Sequence, residues 1–231
     1  GRPKAGQAHQ QIPSPVSRVI MLIRPALHLG SLLLMLSGCA LPSFDNPASS
    51  PKTSIHDADL YGQWVALTTK EDGTTERETE TLLIGRHPKR NGWMRAGGQY
   101  LNNDNELQNE IRNFLATRIG EDHFISLPLT KKDRGNDAGN FMLARYQFDK
   151  KARQLRLWWV DPRKLKDAVE KGLLLGTITE TPVEVDGKEQ LQLKAVHVES
   201  STDQIRAFLK QHPEMIFQSK HQTLEKLPTK S

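Results

Sequence analysis

Six histidines downstream of residue 39 (His56, His87, His123, His197, His212 and His221) are the side chains best equipped to hold a metal or move a proton. A metal site wants ligands at short fixed spacing, such as His-x-His or His-Glu-x-x-His, and neither pattern occurs. The histidines therefore read as surface or locally bonded imidazoles. Nucleophilic catalysis would want a Gly-x-Ser-x-Gly elbow or a reactive thiol; the elbow is missing, and the chain has one cysteine, Cys39. The glycines fall in turn positions, not in a strand-to-helix loop that would cradle phosphate. These spacings predict no catalytic residue, no metal and no cofactor. Only a hydrolase site assembled in space from distant residues escapes this test.

Two surfaces stand out for binding. The stretch "RHPKRNGWMR", residues 86 to 95, interleaves Arg86, Lys89, Arg90 and Arg95 with Trp93, a pattern suited to anionic headgroups or glycan, or simply to a solvated hairpin tip. Trp158 and Trp159 are adjacent in an apolar run. On a strand they face opposite ways, so Trp159 joins Leu155 and Leu157 inside, and Trp158 lies outside, under a helix or as a contact surface.

Cys39 takes its meaning from what precedes it. Ala26 to Leu36 is a largely apolar run of 11 residues behind Arg24. A membrane-spanning helix needs roughly 20 such residues, so this length suits a signal peptide. Met21 reads as the translation start, with residues 1–20 an upstream extension and 21–38 the signal. Leu36, Ser37, Gly38 and Cys39 resemble the lipobox of bacterial lipoproteins. The resemblance implies cleavage before Cys39 and acylation of that residue, hence a membrane anchor made of lipid. Ala40 stands where retention in the inner membrane would put Asp, which implies the periplasmic face of the outer membrane in a Gram-negative cell. Residues 40–58 hold three prolines and five Ser or Thr residues, the composition of a flexible tether.

The formal charge is +5, but Arg2, Lys4, Arg18 and Arg24 precede residue 39 without any acidic residue. The remainder carries 28 basic against 27 acidic side chains, so nucleic acid is not an expected partner. With 36% hydrophobic residues the chain can bury a core, and with one cysteine it cannot staple that core by an internal disulfide.

From Asp59 onward, turn signals at Asp72-Gly73, Asn91-Gly92, Gly120 and Asp186-Gly187 separate short alternating or apolar runs. Strands are predicted near 63–69, 77–85, 93–101, 107–119, 123–129, 140–149, 153–160, 176–185 and 189–198. Asp161, Pro162 and Gly172 bracket one helix, with Leu165, Ala168 and Val169 on one face. Ser201 and Gln204 form a capping box for a second, which turns Ile205, Phe208 and Leu209 inward and ends before Pro213. The expected fold is mostly β, an antiparallel meander or barrel over 59–217 with two short helices packed on it. Residues 218–231 read as a tail.

The entry "LYGQW" resembles the Gly-x-Trp strand of lipocalin-like barrels, here Gly62 and Trp64. That resemblance implies a glycine permitting close approach and a tryptophan closing the barrel floor. The whole of 59–217 also resembles a group of bacterial lipoproteins without an assigned activity, through "LRLWWVDPRKL" and "STDQIRAFLKQH". Together these features predict a lipid-anchored envelope protein, non-enzymatic, acting as a structural or binding module. Its expected partners are a membrane through Cys39 and an apolar or lipid ligand; the alternative is an envelope accessory protein that binds another protein.

Overall fold

Among the described residues, apolar and β-branched runs broken by turn residues form eleven strands. The structure, a computed structural model, describes residues 41–70, 72–101, 106–130, 140–185 and 187–228. The strands are β1 (Leu41–Phe44), β2 (Gly62–Thr69), β3 (Thr75–Arg86), β4 (Met94–Leu101), β5 (Leu107–Ile119), β6 (Asp122–Pro128), β7 (Phe141–Asp149), β8 (Gln154–Trp159), β9 (Gly176–Val185), β10 (Lys188–Val198) and β11 (Gln222–Lys226). A 3-10 turn at Ala58–Leu60 precedes β2, and the helices are α1 (Pro162–Glu170) and α2 (Thr202–Gln211).

Strands β2 to β8 pair antiparallel in chain order, and β11 fits between β8 and β2. The result is a closed eight-stranded antiparallel barrel, lipocalin-like in architecture. Closure pairs the backbone of every barrel strand on both sides and leaves that sheet no free edge. Alternating direction puts the β2–β3, β4–β5 and β6–β7 connections at one end, the mouth. The β3–β4, β5–β6 and β7–β8 connections lie at the other, the floor. Between β8 and β11 the chain leaves at the mouth to build α1, the β9–β10 hairpin and α2. Strand β1 runs parallel to β10 and meets β7 at Phe44 and Phe141. A layer of β1, β9, β10 and the helices thus covers part of the outer wall.

Two cores follow from this arrangement. Inside the barrel, Trp64, Ile84, Met94, Phe114, Tyr146, Leu155 and Leu224 pack together. Outside, Phe44, Phe124, Leu143, Val196, Leu165, Ile205, Phe208 and Phe217 fill the space between wall and layer. Strand β5 shows the boundary: Leu107 and Ile111 on its outer face are exposed, whereas Leu115 and Ile119 on that same face are buried. Only the floor-side half of that wall is covered.

Both helices carry the caps their sequences predict. The Asp161 carboxylate accepts from the amides of Arg163 and Lys164, and Gly172 turns the chain with φ +68°. Ser201 and Gln204 form the reciprocal capping box.

Two segments depart from the expectation. Residues 40–58 are no free tether from Leu41 onward. Phe44 is fully buried, the Ala48 amide donates to Ser126 Oγ, Thr117 Oγ1 donates to Ser49 Oγ, and the Ile55 amide donates to the Ala116 carbonyl. The segment is a belt around the barrel, held by hydrogen bonds that Ser- and Pro-rich composition does not reveal. Likewise residues 218–231 are not merely a tail, since Gln222–Lys226 supply the strand that closes the barrel. In β11 only Leu224 is buried, which leaves little hydrophobic signal to read.

Candidate ligand-binding site

Gly62 and Trp64 lie at the floor end of the barrel. Trp64 is fully buried and its Nε1–H donates to the Leu60 carbonyl at 2.8 Å. Lys226 Nζ lies 5.3 Å from the Trp64 ring and donates to the Asp59 carbonyl. Gly62 has φ +129°, and a Cβ there would sit 3.0 Å from Lys226 Cε. The backbone shape therefore favours glycine, and any larger residue would also have to displace the end of the Lys226 side chain. Tyr146 donates to Asp57 Oδ2 at 2.7 Å, tying the belt to the barrel. Burial, then the bond to Asp57 and the charges of Asp57 and Asp59, push the Tyr146 hydroxyl far above its ordinary range.

The mouth half of the interior is more polar. Arg112 and Glu110 share the inward parity of Phe114 and form a 2.6 Å ion pair, both side chains largely buried. Trp159 shares the inward parity of Leu155 and Leu157, and lies nearer the mouth than either. Its Nε1–H is buried and has no hydrogen-bond partner among the described residues. The interior placement of Trp159 thus follows the alternation, whereas its orphan donor had no signal in sequence. Trp158 faces the outer core, half-buried, with Arg145 over its ring at 5.3 Å and His221 beside it. It is not a free contact surface.

The basic stretch forms the β3–β4 hairpin at the floor. Trp93 is only 8% exposed and lies beneath Arg90 at 4.0 Å, so burial removes it from the expected contact surface. Arg86, Lys89 and Arg90 remain exposed and Arg95 half-exposed. Arg86 donates to His56 Nδ1, and Arg95 donates to Asn113 Oδ1. Among the described residues none of these four cations has a carboxylate partner.

From Arg95 an open groove of about 750 Å³ runs along the outer wall toward the mouth. Leu83, Gly97 and Ile111 are direct neighbours across β3, β4 and β5. The two aliphatic side chains, 63% and 60% exposed, form walls about a glycine floor. Sequence reasoning missed this groove because it depends on which residues of three strands fall side by side.

The remaining expected site residues, Leu36, Ser37, Gly38 and Cys39, lie outside the described residues. Among the described residues no cluster of His, Cys, Asp or Glu is placed to hold a metal, and no helix is long and apolar enough to cross a membrane. The free edge of the outer layer, β9, carries Pro182, Glu180 and Glu184, features that discourage another strand from adding there. Fold and site define a lipocalin-like barrel with Trp64 buried at its floor end and the Arg112–Glu110 pair toward its mouth. No family model matches the chain, and neither a curated protein nor a solved structure matches it.

Proposed function

We propose that this chain is a lipid-anchored bacterial envelope lipoprotein, held to the membrane through Cys39, whose barrel is a non-enzymatic module binding one small apolar or lipid-like ligand. In a Gram-negative cell it would sit on the periplasmic face of the outer membrane. The observation that supports the binding role is the buried Trp159 N–H, which has no acceptor among the described residues, in the mouth half of a barrel whose floor end is filled by Trp64. An unsatisfied buried donor costs about 1–3 kcal/mol, which a ligand carbonyl or carboxylate would relieve. Eight-stranded barrels are wide enough for one small ligand. The lipid anchor rests on the lipobox resemblance at Leu36 to Cys39.

Native mass spectrometry of residues 40–231, after incubation with an envelope lipid extract, tests the binding role. A stoichiometric added mass that denaturation releases is expected, with about tenfold weaker retention in Trp159→Phe. A clean apo mass, where a known lipid-binding barrel keeps its cargo, would overturn this role and favour the protein-partner alternative.

A further inference from the structure

The groove on the outer wall ends in a cluster with too many hydrogen-bond donors. His87 Nδ1 accepts from the backbone amides of Lys89 at 3.1 Å and Arg90 at 2.9 Å. A neutral imidazole that accepts at Nδ1 carries its proton at Nε2. Yet His87 Nε2 lies 3.0 Å from Arg95 Nη2, which is itself a donor and nothing else. Two N–H groups therefore confront each other with no acceptor between them. Partial desolvation, then the charges of Arg95, Arg90 and Lys89, hold the imidazole below its usual range, so protonation of His87 does not resolve the conflict. Arg86, which also lines the groove, is bound among the described residues to the imidazole of His56 and to no carboxylate. The missing component is an oxyanion.

What extends from this cluster is apolar. Gly97 lies two residues beyond Arg95 on the same outer face, with Leu83 and Ile111 to either side. From Arg95 to Gln99 the strand spans about 14 Å at 3.4 Å per residue. Glu110 lines the groove, and its carboxylate is engaged by Arg112. The volume of about 750 Å³ falls within the roughly 300–1,000 Å³ typical of small-molecule sites.

We propose that this groove binds a free single-chain anionic amphiphile, its carboxylate or phosphate accepting from His87 Nε2–H and the Arg95 guanidinium, its alkyl chain lying over Gly97 between Leu83 and Ile111. A recessed floor between two walls holds one chain, whereas contact with a bilayer calls for a protruding apolar face. The site is distinct from the barrel interior and stands independently of it.

A dodecanoate probe bearing a diazirine, added below its micellar concentration to the full chain, tests this by light-induced labelling and peptide mass spectrometry. Label is expected on peptides containing Leu83, Gly97 and Ile111. Gly97→Trp should reduce it at least tenfold, because the nearest atoms to a Cβ there are 3.8 Å away and the new ring would fill the groove. If that variant fails to fold, Gly85→Leu, whose Cβ meets nothing within 4 Å, serves the same purpose. Arg95→Gln should reduce labelling by dodecanoate about fivefold while leaving labelling by the corresponding dodecanol probe unchanged. Labelling that ignores these substitutions overturns the proposal, as does labelling seen only when the probe is presented in vesicles. Label confined to peptides around Trp159 overturns the groove but supports the barrel chamber; label in the groove alone does the reverse.

Discussion

Gly62 and Trp64 show how two residues two positions apart can shape one end of a barrel. The positive φ of Gly62 and its contact with Lys226 predict that Gly62→Ala destabilises the domain by about 1–3 kcal/mol, measured by urea unfolding. Tyr146 makes a prediction about pH. Its hydroxyl is raised in the folded state, so above pH 10, its ordinary value, the unfolded chain loses a proton that the folded chain keeps. Stability should therefore fall as pH rises past 10, and the fall should be shallower in Tyr146→Phe, followed by circular dichroism. His87 carries the opposite sign. Its folded value lies below 6.5, so its contribution to stability is present above pH 6.5 and declines as pH falls below it. An NMR titration should place His87 below the usual histidine range, and Arg95→Gln should move it upward.

At the scale of elements, the belt from Leu41 to Leu60 accounts for much of how the two cores are joined. It starts in the outer core with Phe44, crosses β6 and β5 through Ser126, Thr117 and Ala116, and ends beneath Trp64 with Leu60. Phe44→Ala should cost about 3–5 kcal/mol, the range for truncating a buried aromatic, read from chemical unfolding. Because the belt follows Cys39 so closely, a lipid anchor at that residue would hold the folded domain near the membrane, with no long coil between them. The nine strands predicted over 63–198 were legible because each is a run bounded by turn residues. The short strands at either end were not, since β1 has four residues including a proline and β11 buries one side chain.

At the scale of the whole molecule, the barrel depends on its last strand. Ending the chain at Gln218 would expose the edges of both β2 and β8, and the expected outcome is loss of cooperative unfolding and aggregation on size exclusion. Lipid anchoring is testable at the same scale: protein extracted from membranes should have an intact mass beginning at an acylated Cys39, and Cys39→Ser should carry no acyl mass. An intact mass with an unmodified Cys39 would contradict lipid anchoring.

Local information decided a good deal about this protein. Turn residues and alternation determined where the strands from β2 to β10 run, and capping residues determined where both helices begin, because these depend on neighbours within a few positions. Parity along a strand was enough to send Trp159 inward and Trp158 outward. Tertiary structure alone decided the rest. It brought residues 222–226 between β8 and β2, wound residues 41–60 around the wall, buried Trp93, and aligned Leu83, Gly97 and Ile111 across three strands. Each of these is a pairing between segments distant in the chain. The register of such a pairing is set by how the closed sheet and its covering layer pack together, not by the composition of either segment.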